Sequence, residues 1–205
     1  MKLYDSIGPN PHVVRMFAAE KGISLPIVKV DLMGGENRRG DYIAIKNPAG
    51  TTPALELADG SCICEITVIA EYLEELHPTP SLIGTTPEER AETRMWTRRI
   101  DLGIIEPMTN GFRASEGRAL FEPRMLLVGA EGAAELKAIA RAKLLWLDAQ
   151  LDGRSFVCGE RFSLADIMLY CFVAFGNTVG QPMPTDAKWL PAWFERIMAR
   201  PSSQA

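Results

Sequence analysis

The stretch KLYDSIGPNPHVVRMFAAEKGISLPIVKV, residues 2–30, decides the fold. Lys2-Leu3-Tyr4-Asp5-Ser6 reads as a short strand, and Gly8-Pro9 breaks it. Asn10 is a good helix N-cap, with Pro11 at the first helical position. Val13, Met16 and Phe17 then recur at helical spacing until Gly22, which suits a C-terminal cap. Ile27-Val28-Lys29-Val30 is a second strand. Strand, helix and strand in about thirty residues make a βαβ unit, whose crossover renders the two strands parallel.

Working outward, the polar run Gly34–Gly40 and a short segment to Asn47-Pro48 precede two more strands, Ala54–Leu57 and Cys62–Cys64. Ala58-Asp59-Gly60 joins them, and Asp-Gly between alternating apolar residues signals a hairpin. From Glu65 to Leu76, Ile66, Ile69, Tyr72, Leu73 and Leu76 form a helical stripe. Residues 1–80 therefore read as βαβ followed by ββα. His77-Pro78-Thr79-Pro80 ends that pattern, and beyond it the periodicity is helical throughout. Thr86-Pro87-Glu88-Glu89 is a helix start with acidic residues in its first turn. Helical patterns follow over Met95–Ile105, Glu135–Leu151, Ser163–Phe175 and Leu190–Arg200, and Glu106-Pro107 is expected to kink or end one of them. Ser163-Leu164-Ala165-Asp166 is a capping box with Asp in place of Glu, flanked by Phe162 and Ile167 at staple positions. Its role is structural. The expectation is a second, all-helical domain over 86–205.

The chain has 205 residues, 47% hydrophobic and 23% charged, with a formal net charge of −4. Seven basic and eleven acidic side chains in residues 1–80 leave fifteen of each in the remainder. Neither part is a basic arm, which argues against a nucleic-acid partner held through phosphates. No apolar run reaches the roughly 18–20 residues that span a bilayer. MKLYDSIGPNP has no apolar core of a signal peptide, so a cytoplasmic, membrane-free protein is expected. Four cysteines and two histidines are too few and too scattered for a zinc site, and reduced thiols are expected. His12, one turn into the first helix, reads as exposed.

An α/β module of this order followed by helices resembles the cytosolic glutathione transferases. Asn47-Pro48-Ala49-Gly50-Thr51-Thr52-Pro53-Ala54-Leu55 is similar to that family's N-P-x-G-x-x-P-x-L segment, whose proline is cis. Glu65-Ile66-Thr67-Val68-Ile69 resembles its E-S-x-A-I helix start. Gly159–Asp166 resembles its helical capping motif, and Leu190–Pro201 its closing helix. The fold class implied is α/β plus all-α: an N-terminal thioredoxin-like βαβ-ββα domain and an all-helical C-terminal domain.

The resemblance implies glutathione as co-substrate, no metal, a homodimer, and transfer of the glutathione thiolate to an electrophilic apolar small molecule. Thr52, beside Pro53, would offer its backbone N–H and C=O to the cysteinyl backbone as an added strand. Glu65 would meet the γ-glutamyl ammonium, or else serve only as a first-turn acid. Asn37 and Arg38 fall where relatives place side chains for the glycyl carboxylate, a solvated loop being the other reading. Two positions depart from the family. Ile66 replaces the serine that helps bind the γ-glutamyl carboxylate, leaving the helix-terminal N–H groups for that task. Gly8 stands where many relatives place the catalytic serine, so Asn10, read also as a pure N-cap, and Ser6 are the candidates for polarising the sulfur. Trp96, Arg99, Ile100, Gly103, Met108 and Phe112 would wall the second-substrate pocket, although such a stripe also suits a core. A glutathione-dependent lyase, isomerase or peroxidase, or a non-catalytic binding protein, would use the same fold.

Overall fold

The computed structural model describes all 205 residues. Strands β1 (Lys2–Asp5), β2 (Ile27–Lys29), β3 (Ala54–Glu56) and β4 (Cys62–Cys64) form one sheet in the order β2-β1-β3-β4. β1 and β2 are parallel, and the crossover helix α1 (Pro9–Glu20) joins them. β3 runs antiparallel to both β1 and β4, with Asp59-Gly60 at the hairpin tip and Gly60 at φ 87°. Helix α2 (Ile66–Leu76) completes the βαβ-ββα order.

The period of two along β1 separates its faces. Leu3 and its partner Leu55 are fully buried, as is Asp5, whose carboxylate takes both Arg15 of α1 and Lys29 of β2. Val13, Val14, Met16 and Phe17 of α1 pack with Ile69, Ala70 and Leu73 of α2 into this core. Tyr4 points the other way, donating to Glu56 at 2.9 Å and meeting the ring of Tyr42 edge-on. Tyr42 belongs to a π-helical turn, Tyr42–Lys46, and a 3₁₀ turn, Glu36–Arg38, precedes it. The sequence shows neither, because each is one turn long and neither presents an amphipathic period.

The chain divides into two units, residues 1–83 with 201–205, and residues 84–200. The last five residues, which the sequence reading leaves with the helices, group with the α/β unit. Pro201–Gln204 forms a 3₁₀ turn against α1. There Ser202 donates to Glu20, and His12 Nε2 lies 3.0 Å from the Ser203 carbonyl. His12 is thus half-buried rather than exposed, and that burial lowers its pKa.

The second unit holds α3 (Pro87–Ile100), α4 (Glu106–Arg113), the short α5 (Arg118–Phe121), α6 (Ala130–Gln150), α7 (Leu164–Thr178) and α8 (Leu190–Met198). Pro107 has no N–H to give the Gly103 carbonyl, and a π-helical turn, Asp101–Ile105, precedes it instead of a break. Nearly all of α7 is buried, and α3 and α8 pack against it. Two buried carboxylates fix helix starts in this unit. Asp166 takes the Ser163 N–H and hydroxyl, the Val157 N–H and the Trp193 indole N–H, all at 2.8–3.0 Å. Asp148 of α6 reaches across to the N–H groups of Lys188, Trp189 and Leu190 at 2.8–2.9 Å, capping α8 from outside its own sequence. No helix is long and apolar enough to cross a membrane.

Candidate functional site

The segment ahead of β3 is held by side chains rather than by the ladder. Asn37 donates to the Gly50 carbonyl at 2.6 Å, and Tyr42 donates to the Thr51 carbonyl at 2.6 Å. The Asn47 amide gives both its N–H bonds to Thr51, at 2.9 Å to the carbonyl and 2.8 Å to the hydroxyl. Gly50 sits at φ 62°, and a Cβ there would lie 2.8 Å from Arg38 Cδ and 3.1 Å from the Asn37 carbonyl oxygen. The segment must therefore have glycine at this place to pass beneath residues 37 and 38. The carbonyls of Gly50 and Thr51 are engaged. Thr52 comes next, and the β1–β3 register stops short of it at Ala54. Its main-chain N–H and C=O make no hydrogen bond within the protein, and the Thr52-Pro53 peptide is cis. The geometry leaves one donor and one acceptor, side by side, at the end of a sheet.

Ser6 and Thr52 come together, although 46 residues separate them. Ser6 Oγ lies 2.5 Å from Thr52 Oγ1 and 3.2 Å from the Ile7 carbonyl. Ser6 is 6% exposed, whereas Thr52 is half-buried.

The start of α1 differs from the expected one. The helix begins at Pro9, with Gly8 as N-cap, so Asn10 is the second helical residue and caps nothing. Proline's fixed φ suits the first helical position, and Gly8 supplies the φ of 109° that leads into it. A side chain at residue 8 would be strained at that angle, which gives a physical reason for the absent serine. Asn10 is half-buried, and no hydrogen bond engages its side chain.

Glu65 is the N-cap of α2, at φ 70° and ψ 126°, the one non-glycine residue with positive φ. Non-glycine residues held there cluster at ligand sites, where surrounding structure imposes them. Its side chain is exposed and makes no capping hydrogen bond. Ile69 N–H bonds the Glu65 carbonyl, and the N–H groups of Ile66, Thr67 and Val68 have no partner within the helix. Thr67 puts a hydroxyl in this first turn one residue after Ile66. Reading the motif position by position passes over it. Asn37 is 2% exposed and tied to Gly50, while Arg38 is half-buried with its stem on Gly50.

The residues expected to wall a second-substrate pocket fall in the helical unit. Trp96, Ile100 and Met108 are core positions, exposed by 5%, 0% and 1%. Exposed Arg99 lies over the Trp96 ring, 4.9 Å from its centre. Gly103 sits in the π-helical turn beside the Lys143 stem, and Phe112 packs edge-on against Phe121 and Phe175. A cleft of about 360 Å³ opens between α6 and residues 180–185, and Met108 alone of the six borders it. Nowhere do three His, Cys, Asp or Glu side chains gather as a metal site.

Residues 7–76 match the family model described as glutathione S-transferase, N-terminal domain, and residues 125–201 match that of the C-terminal domain. The chain is 35% identical over 206 residues to Glutathione S-transferase 2 of Saccharomyces cerevisiae, covering 98% of this chain and 87% of that protein. The crystal structure of Gtt2 from the same yeast superposes with a TM-score of 0.92 over 100% of this chain and 99% of its own. A glutathione S-transferase domain-containing protein of Marinobacter aquaeolei superposes equally well, at 0.92, with 37% identity over 99% and 100% of the two chains. With both of its parts matched and these relatives covered nearly end to end, the chain belongs to the glutathione S-transferase family.

Proposed function

We propose that the protein is a glutathione transferase that joins the glutathione sulfur to an electrophilic apolar small molecule. The carrying observation is the strapped 47–52 segment, which presents the Thr52 N–H and C=O unused at the end of β3. An extended tripeptide docks there as an added strand, its cysteinyl N–H and C=O paired with Thr52. Pro53 fixes the direction of that turn. The γ-glutamyl end then lies over α2. Its ammonium meets Glu65, and its carboxylate meets the N–H groups of Ile66 and Thr67, where the helix dipole favours an anion. The Thr67 hydroxyl stands in for the serine that Ile66 replaces. Arg38 takes the glycyl carboxylate, and Asn37 holds the segment through Gly50. Asn10 and the hydroxyl pair of Ser6 and Thr52 are the polar groups offered to the sulfur.

In the reaction the thiol loses its proton to solvent. The thiolate forms a carbon–sulfur bond to the electrophile, and a leaving group such as halide departs with its bonding electron pair. Of the six residues expected to wall a pocket for the electrophile, Trp96, Ile100 and Met108 are enclosed in the helical core, and Arg99, Gly103 and Phe112 are the ones accessible to it. A homodimer suits the exposed faces. Glu71, Tyr72 and Glu75 surround Val68 on α2, and exposed Arg94 and Arg98 lie beside Met95 on α3, so two copies present opposite charge around apolar centres. The setting is the cytoplasm.

Conjugation of glutathione to a generic aryl halide, followed by product absorbance, tests the assignment. The protein is expected to turn over, and Glu65→Gln to raise the KM for glutathione about tenfold by removing one charge-assisted bond. Glutathione binding without conjugation would favour glutathione-dependent lyase, isomerase or peroxidase chemistry. Absence of both would leave a non-catalytic binding protein.

A further inference from the structure

We propose that the side-chain hydroxyl of Thr52, held in place by Ser6, is the hydrogen-bond donor that stabilises the glutathione thiolate. This rests on the reading of Thr52 as the cysteinyl docking point.

The start of α1 is poorly equipped for that task. Of the residues whose N–H groups lie free at its first turn, Pro9 and Pro11 have none, leaving Gly8 and Asn10. No hydroxyl stands at residue 8, where φ of 109° requires glycine. The hydroxyl is instead supplied across the sheet. Lys2 pairs with Glu56 and Tyr4 with Ala54, where the β1–β3 ladder ends. Just beyond that end the hydroxyls of Ser6 and Thr52 meet at 2.5 Å.

Burial separates their roles. Ser6, at 6% exposure, is enclosed, and Thr52 is the member open to a ligand. A residue hydrogen-bonded opposite Thr52 places its side chain on the same face, with Cβ atoms about 5.5 Å apart. The cysteinyl sulfur therefore comes within reach of Thr52 Oγ1. The one Ser6 proton has two acceptors, the Ile7 carbonyl at 3.2 Å and Thr52 Oγ1 at 2.5 Å, and its donation along the shorter contact frees the Thr52 proton to point at the sulfur, the chain of two hydroxyls strengthening that bond. Asp5, next to Ser6, is engaged by Arg15 and Lys29. Ser6 is thus a positioning residue, and Thr52 acts through both its main chain and its side chain.

The test is the thiol pKa of glutathione in the binary complex, from its thiolate ultraviolet absorbance, with affinity measured in parallel by calorimetry. For the wild type the thiol is expected well below its free value of about 8.5. Thr52→Val is expected to raise it by about one to two units, Thr52→Ser to restore it, and Ser6→Ala to raise it by about half as much. Affinity should stay within about threefold in all three, because the main chain holds the tripeptide. Thr52→Ala removes the same hydroxyl without a new methyl against Ser6 and carries the same expectation. An unchanged thiol pKa in Thr52→Val or Thr52→Ala with binding intact would overturn the proposal alone. A larger rise in Asn10→Ala than in Thr52→Val would also overturn it. No binding by the wild type would overturn the docking reading and this proposal together.

Discussion

Glu74→Ala is expected to lower the unfolding free energy of the α/β unit by about 3–5 kcal/mol, the usual cost of stripping a buried ion of its partner. Glu74 on α2 and Lys21 at the C-terminus of α1 form an ion pair whose side chains are 4% and 0% exposed. Neither group lacks further partners. Lys21 Nζ donates to the carbonyls of His77 and Pro80, each at 2.6 Å. The Glu74 carboxylate accepts from Leu82 N–H, Ile83 N–H and the Ser81 hydroxyl at 2.9–3.2 Å. One carboxylate thus ties α1, α2 and the segment leaving the sheet. Its removal strands a buried ammonium and two buried N–H groups together. Lys21→Met should cost less, because Glu74 keeps its three donors. Urea unfolding followed by far-ultraviolet circular dichroism checks both, since all four tryptophans lie in residues 84–200. Equal effects, or a loss under 1 kcal/mol for Glu74→Ala, would mean that the pair does not hold this unit.

Asp166→Ala should be as severe for the helical unit, about 4 kcal/mol, read by tryptophan fluorescence. It leaves Val157 N–H, Ser163 N–H and the Trp193 indole N–H unsatisfied in a dry core, at about 1–3 kcal/mol each before relaxation. Complete burial pushes the Asp166 carboxyl up to about 6, against hydrogen bonds from Val157, Trp193 and Ser163 that pull it down. The sign of the pH effect follows. Below about pH 4 both folded and unfolded chains hold the proton. Between about pH 4 and 6 only the folded chain does, so stability falls as pH rises through that window, by up to about 3 kcal/mol. The Asp166→Asn protein lacks this slope. Stability of the wild type relative to Asp166→Asn should therefore decline from pH 4 to 6 and level off above.

Much of the architecture is legible in the sequence because its signals are local. The strand–helix–strand order of residues 2–30, the Asp59-Gly60 hairpin and the Ser163–Asp166 helix start each occupy a few neighbouring residues with their own periodicity or cap. The misread start of α1 shows the limit. Asn10 and Pro11 look like a cap and a first residue, yet Gly8 and Pro9 satisfy the same rules two residues earlier, and only Gly8 tolerates φ 109°. Contacts across the chain are illegible for a different reason. The caps that Asp148 gives residues 188–190 and Glu74 gives residues 82–83 depend on packing that no window of sequence contains.

The site divides along the same line. Of the proposed site, Thr52, Pro53 and Glu65 stand within motifs legible in the sequence. Asn37 and Arg38 sit beside them, yet the Asn37 amide is turned to Gly50. The Ser6–Thr52 contact arises where β1 leaves the ladder, and it joins residues 46 positions apart that no local motif links. Ile66 deletes one hydroxyl from the motif while Thr67 brings another alongside it.

Docking of glutathione on the Thr52 main chain is the claim on which the rest depends. The direct measurement is the amide resonance of Thr52 in the ¹⁵N-labelled protein as glutathione is added. A downfield shift of the Thr52 N–H that saturates with the binding isotherm, with smaller shifts at Ile66 and Thr67, is the predicted result. Saturable binding that moves resonances elsewhere and leaves Thr52 unshifted would contradict it.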